Sequence, residues 1–318
     1  AGGYSTGIPD YEAPFIFANF RGTLEDVGVL THEAGHAFQG YESSWITIPE
    51  ITSPTMESCE IHSMSMEFFT WKYMELFFGN KADRYRYTHL MSTITFLPYG
   101  ALVDHFQHVV YQHPEYTPAQ RDKAWRDLEK VYIPDKNYEG NELLENGGWW
   151  YQQLHIFHYP FYYIDYTLAQ VCALENFIRI QQNDPKAWSD YLALCKAGGT
   201  ASFTHLVKNS GLQVPFEKGT MEHIAKFVSN YLDKIDDSKL LCNGQCQEEI
   251  SFVGKSVLED ISKESCACYS SAVVGHSVIR VSGIQGVPPH RSMVRRQPYC
   301  LYSWITIHLC HHSFSVDS

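Results

Sequence analysis

Thr31-His32-Glu33-Ala34-Gly35-His36 sets two histidines four positions apart, with a glutamate directly after the first. On a helix, residues i and i+4 share a face. Both imidazoles can then reach one ion at about 2.0–2.1 Å from each nitrogen. Glu33 points beside that ion and can take a proton from a water it activates. The flanking residues Val27, Val29, Leu30, Ala34, Ala37 and Phe38 are apolar, so the two histidines are partly buried. Buried polar groups need partners, and a metal ion supplies one. Gly35 costs a helix about 1 kcal/mol relative to Ala. Its presence points to a close approach by something at that position.

A catalytic zinc takes three protein ligands and keeps a fourth position open. The next helical stretch, Thr55-Met56-Glu57-Ser58-Cys59-Glu60-Ile61-His62-Ser63-Met64-Ser65-Met66-Glu67, holds the candidates. Glu57, Glu60 and Glu67 lie roughly along one face. Cys59 and His62 are rival ligands. A carboxylate on a second helix is the gluzincin arrangement, and spacing alone leaves open which one it is.

Outward from this pair the chain reads as mostly helical. The spacing predicts a strand over 15–20 with one buried face, then helices over 24–41 and 56–78, the latter stopped by Gly79-Asn80. A helical stretch follows over 82–111, with a break at Pro98-Tyr99-Gly100. Thr117-Pro118-Ala119-Gln120 is a capping box with proline in the first turn, opening a helix to about 132. Residues 133–150 read as a loop, and helices resume over 159–181, 185–197 and 221–235. Tyr159, Tyr162, Tyr163 and Tyr166 then fall on one helical face. Such a stripe is ordinarily core. Beside a metal, its hydroxyls can serve a developing oxyanion.

The 318-residue chain carries a net charge of −12, all of it in residues 1–240, where 18 basic side chains face 30 acidic ones. An acidic body disfavours nucleic acid as a partner. No run of 18 apolar residues is present, which argues against a membrane span. Residues 1–10 lack the basic start and apolar core of a signal peptide. Without an initiator Met, the chain reads as starting inside something larger or after processing. Three cysteines in the first 240 residues suit a reduced, cytoplasmic protein. The other six lie in the last 78 residues, where serine is frequent and no helical or strand period is sustained. The expectation is a body over 1–237 and an atypical Ser/Cys-rich tail over 238–318, disordered or non-native. Its cysteine spacing matches no standard zinc finger.

His32-Glu33-Ala34-Gly35-His36, followed by Glu60-Ile61-His62-Ser63 and Glu67, resembles the thimet oligopeptidase and oligoendopeptidase F family of zinc metallopeptidases, most closely the bacterial oligoendopeptidase F-like and Pz-peptidase enzymes. In that family the third zinc ligand precedes a Ser by three and a Glu by seven, a register that Glu60 keeps with Ser63 and Glu67. Residues 15–23, 101–108, 155–166 and 198–203 continue the likeness, with His105 standing where a Glu is expected. The resemblance covers about residues 1–237.

What the resemblance implies is a mainly α, zincin-like (gluzincin) catalytic region, the C-terminal half of an oligopeptidase fold. One Zn2+ is held by His32, His36 and Glu60. Glu33 acts as general base, and Tyr159, Tyr163, Tyr166 and either His155 or His158 serve the peptide carbonyl. Gly147-Gly148 offers a hinge. The substrates are short peptides. Because the family's chains are much longer, one wall of the channel is expected to be missing, exposing apolar surface. That leaves a rival reading: a truncated zinc-binding fragment with little activity. A metallocarboxypeptidase would need basic residues near the motif to hold a substrate carboxylate, and no clear cluster stands there. A binding module organised by the tail would need that tail ordered around metal.

Overall fold

In the computed structural model, residues 2–8, 11, 13–236 and 240 are described, together with the backbone of 271–274 and 277–280. The reading of 238–318 as a disordered or non-native tail otherwise lies outside the described residues. Within them the architecture is helical: α1 (Leu24–Glu42), α2 (Met56–Phe69), α3 (Met74–Phe78), α4 (Ala82–Gln112), α5 (Pro118–Tyr132), α6 (Glu142–Glu145), α7 (Leu154–His158), α8 (Tyr163–Gln181), α9 (Ala187–Ala197), α10 (Phe203–Asn209) and α11 (Thr220–Leu232). Strands β1 (Gly3–Ile8) and β2 (Ala13–Ala18) form an antiparallel hairpin with Gly3 opposite Ala18. A second hairpin pairs β3 (Ser271–Val274) with β4 (Ser277–Arg280). Among the described residues, no helix is long and apolar enough to cross a membrane.

Helix α2 lies between α1 and α8 and is the axis of the fold. Its small residues Ser58, Ser63 and Ser65 are fully buried, which lets both neighbours approach closely. A Cβ on Gly35 of α1 would lie 2.6 Å from the His62 carbonyl oxygen and from Ser63 Cα. Gly35 is therefore the contact point that its sequence position suggested. The main core gathers Ile61, Phe68, Leu90, Leu97, Leu174 and Phe177. A second core holds Ala101, Leu102, Phe106, Trp125 and Trp150.

Several boundaries differ from expectation, each for a local reason. The strand near residue 15 is Ala13–Ala18, and Phe15 and Phe17 are exposed instead of filling a buried face. The helix expected over 56–78 is interrupted at Thr70–Tyr73 by a 3-10 turn. There Arg86 donates from Nε and Nη2 to the Trp71 carbonyl at 3.2 and 2.7 Å, drawing it from the helical ladder. Conversely, α4 runs unbroken through Pro98. The lost hydrogen bond is tolerated because both flanks are anchored: Leu97 packs in the first core and Ala101 in the second. Gly100 meets α8 so closely that a Cβ would overlap Thr167.

The helix expected from Tyr159 starts at Tyr163. Pro160 disfavours helical backbone at the residue before it, and Phe161 takes a left-handed φ of 63°. The four tyrosines therefore do not share one helical face. Residues 133–150, expected as loop, contain α6 and the start of a 3-10 turn over Gly148–Gln152.

Candidate metal centre

Helix α1 begins where Thr23 and Arg21 donate their backbone N–H groups to Asp26 Oδ2, each at 2.8 Å. Three turns in, His32 and His36 stand one above the other with ring centres 5.0 Å apart. Glu60 faces them from α2. Its Oε2 lies 3.2 Å from His32 Nε2 and 3.2 Å from His36 Nε2. One ligand atom from each of the three residues lies within 4.8 Å of the others. Donors at about 2.0 Å around a tetrahedral ion stand about 3.3 Å apart, and both distances to Glu60 Oε2 match that spacing. The rivals point elsewhere. Glu57 is exposed, Cys59 Sγ donates to the Pro54 carbonyl at 3.3 Å, and His62 Nδ1 sits 3.3 Å from the Cys59 carbonyl.

The Glu60 carboxylate is held on both oxygens. Ser63 Oγ donates to Oε2 at 2.9 Å, and Tyr162 OH donates to Oε1 at 3.2 Å. Burial alone would raise the Glu60 pKa, but the two imidazoles override it and hold the carboxyl well below its usual range. The same contacts act on His32: burial lowers its pKa, while Glu60 and Glu67 raise it to about 10. His62 is different, because burial dominates and pushes it down to about 4.

Behind His32 lies an arrangement that spacing did not reveal. Glu67 Oε1 is 2.8 Å from His32 Nδ1, and Glu67 Oε2 is 2.6 Å from His89 Nε2 on α4. Burial pushes the Glu67 pKa up, yet the two histidines bring it down to about 2. Glu67, a candidate ligand by its face of α2, instead stands behind His32 on its Nδ1 side. His89 is separated from it by 22 residues and carries no local signal.

Glu33 is buried, and β1 closes over it: a Cβ on Gly3 would sit 3.2 Å from Glu33 Cγ. The aromatic segment divides. His155 stands among Tyr162, Tyr163 and Tyr166, with ring centres 6.4, 5.1 and 5.7 Å away. Burial lowers the His155 pKa, against the pull of Glu60. Tyr162 and Tyr166 stack edge to face at 4.9 Å. Burial raises the pKa of Tyr162, Tyr163 and Tyr166 alike, so all three keep their hydroxyl protons at neutral pH. Tyr159 and His158 are exposed; Tyr159 reaches the group edge-on to Tyr162 with ring centres 6.5 Å apart, and His158 lies beside Tyr159 at 6.4 Å. The tyrosine that touches a metal-site residue is Tyr162, which sequence reading placed in the stripe without singling it out. Among the described residues, Cys59, Cys172 and Cys195 are free thiols.

Comparison with known proteins places this geometry. Three solved structures superpose on about three quarters of the chain. An oligoendopeptidase F is 56% identical, with a TM-score of 0.72, over 76% of this chain and 42% of its own. Pz peptidase A with an inhibitor is 54% identical, with a TM-score of 0.72, over 74% and 42%. An oligoendopeptidase F from Bacillus anthracis is 50% identical, with a TM-score of 0.65, over 75% and 40%. The chain thus spans about two fifths of the length of these solved relatives. No curated protein matches it. The sequence profile of peptidase family M3 matches residues 1–226, the stretch that holds both helices of the metal centre, and the chain belongs to that family.

Proposed function

We propose that this chain carries the zinc centre of an endopeptidase that hydrolyses short peptides. The observation that carries the reading is the convergence of His32 Nε2 and His36 Nε2 on one oxygen of Glu60, at 3.2 Å each. His32, His36 and Glu60 would hold the ion. A bound zinc lowers the pKa of a water toward 7 and polarises a carbonyl. Glu33, one position past His32, takes the proton of the attacking water and returns it to the leaving amine nitrogen. The Tyr162 and Ser63 hydroxyls keep Glu60 aimed at the histidines. Tyr163, Tyr166 and His155 supply donors toward the carbonyl oxygen as charge develops there. Tyr159 and His158, on the exposed side of the segment, are placed to meet the peptide. The acidic body, with net charge −12, speaks against nucleic acid as a partner, and its free cysteines are compatible with a cytoplasmic setting.

The test is cleavage of an internally quenched peptide of about ten residues by the chain with one equivalent of zinc. Chelator-sensitive cleavage is expected, and Glu33→Ala should lower it by about 10²–10⁴-fold while leaving zinc affinity intact. A second reading follows from the two fifths of relatives' length that the chain spans: a zinc-binding unit without a working cleft. Bound zinc with no cleavage would select it. Absence of zinc binding would overturn both.

A further inference from the structure

Glu67, His89 and Trp71 form a chain of hydrogen bonds whose donors and acceptors can be assigned one after another. Trp71 Nε1 stands 3.0 Å from His89 Nδ1. An indole N–H can only donate, so His89 Nδ1 is the bare, accepting nitrogen. The proton of this imidazole is then on Nε2, which donates to Glu67 Oε2 at 2.6 Å. The other carboxylate oxygen, Oε1, accepts from His32 Nδ1 at 2.8 Å. With a proton held on Nδ1, Nε2 is the His32 nitrogen left to ligate an ion between Glu60 and His36.

Aromatic rings flank the His89 link of this chain. The His89 ring lies parallel to Tyr85 at 5.8 Å and edge-on to Phe68 at 4.9 Å. Its side chain is 12% exposed and that of Glu67 17%. Three elements are tied together: α4 through His89, the turn after α2 through Trp71, and α1 through His32.

From this the geometry points to His89 and Trp71 as positioning residues of the metal centre. Trp71 sets the tautomer of His89, His89 orients Glu67, and Glu67 selects the metal-binding tautomer of His32. The inference rests on the zinc reading above and deepens it. Groups behind a metal ligand commonly govern affinity by 10–100-fold.

The experiment measures zinc affinity by competition with a chromophoric chelator in the full chain and three variants. His89→Leu leaves Glu67 Oε2 without its donor and should weaken zinc binding by about 10–100-fold. His89→Gln keeps one acceptor for Trp71 and one donor for Glu67, and should stay within about threefold of the parent if the relay is what matters. Trp71→Phe removes one N–H and should fall between them. Histidine-selective nitrogen NMR of the zinc-free parent should show His89 as a neutral ring protonated on Nε2, a preference lost in Trp71→Phe.

Parent-like zinc affinity in His89→Leu, equal losses in the Gln and Leu variants, or a His89 ring protonated on Nδ1 would overturn the relay. If His89→Leu does not fold, the other two variants and the tautomer decide. A parent chain that binds no zinc would sink the zinc reading, while the His89 tautomer would still settle the hydrogen-bond chain.

Discussion

Glu175, on α8, is a carboxyl group the protein keeps inside at a cost. It is buried, and its Oε1 has no hydrogen-bond partner in the structure. Burial raises its pKa to about 7, with Arg179 opposing, whereas an unfolded glutamate titrates near 4.3. Between those values the unfolded chain releases a proton that the folded chain keeps. The folded state is therefore progressively disfavoured as pH rises through that window, by at most about 4 kcal/mol. Glu175→Gln removes the penalty while keeping the shape. Its melting temperature should exceed the parent's at pH 8, and the gap should close as pH falls below about 4. A constant difference across that range would mean that the carboxyl stays charged in the fold. Glu60 is the opposite case: four neighbours satisfy it, and its charge is what the two imidazoles hold.

At the scale of elements, the convergence of His32, His36 and Glu60 is a consequence of how closely α1 and α2 approach. Gly35 is the point of contact, with the His62 carbonyl and Ser63 Cα where a methyl would be. Gly35→Ala gains about 1 kcal/mol of helix propensity but must push α1 away from backbone atoms that cannot yield. Glu60 lies on the same stretch of α2, so its distance to His32 and His36 must grow. The expected result is a zinc affinity at least tenfold weaker, with helical content by circular dichroism unchanged. Parent-like affinity would show that the helices can shift without parting the ligands. Gly35 was legible from its sequence because a glycine costs a helix energy without some return. Capping was legible too: Thr117 and Gln120 exchange hydrogen bonds at the head of α5 as their spacing required. The start of α8 was not legible in the tyrosine periodicity, because Pro160 and one left-handed residue, Phe161, decide the backbone there. The Glu67–His89 contact was invisible because nothing local links residues 22 positions apart. It exists only once α2 and α4 pack.

The described residues form two cores, and they meet the candidate metal centre unequally. The first includes Ile61 and Met64 of α2 and Leu168 of α8, beside the ligands. The second lies beyond Pro98, around Trp125 and Trp150. The long helix α4 contributes to both, and Tyr163 packs on the second while Tyr166 packs on the first. An ion that binds only the folded centre stabilises whatever must unfold to release it, by about 2.7 kcal/mol at one hundred times the dissociation constant. If the second core opens by itself, that stabilisation does not reach it. Hydrogen exchange with and without zinc separates the cases. Amides of α1, α2 and the following turn of α8 should gain protection matching the zinc concentration, while those of α5 should exchange as before. Equal gains in α5 would make the two cores one cooperative unit. The tyrosine segment between them would then be carried rigidly against the ligands rather than on a separately opening part.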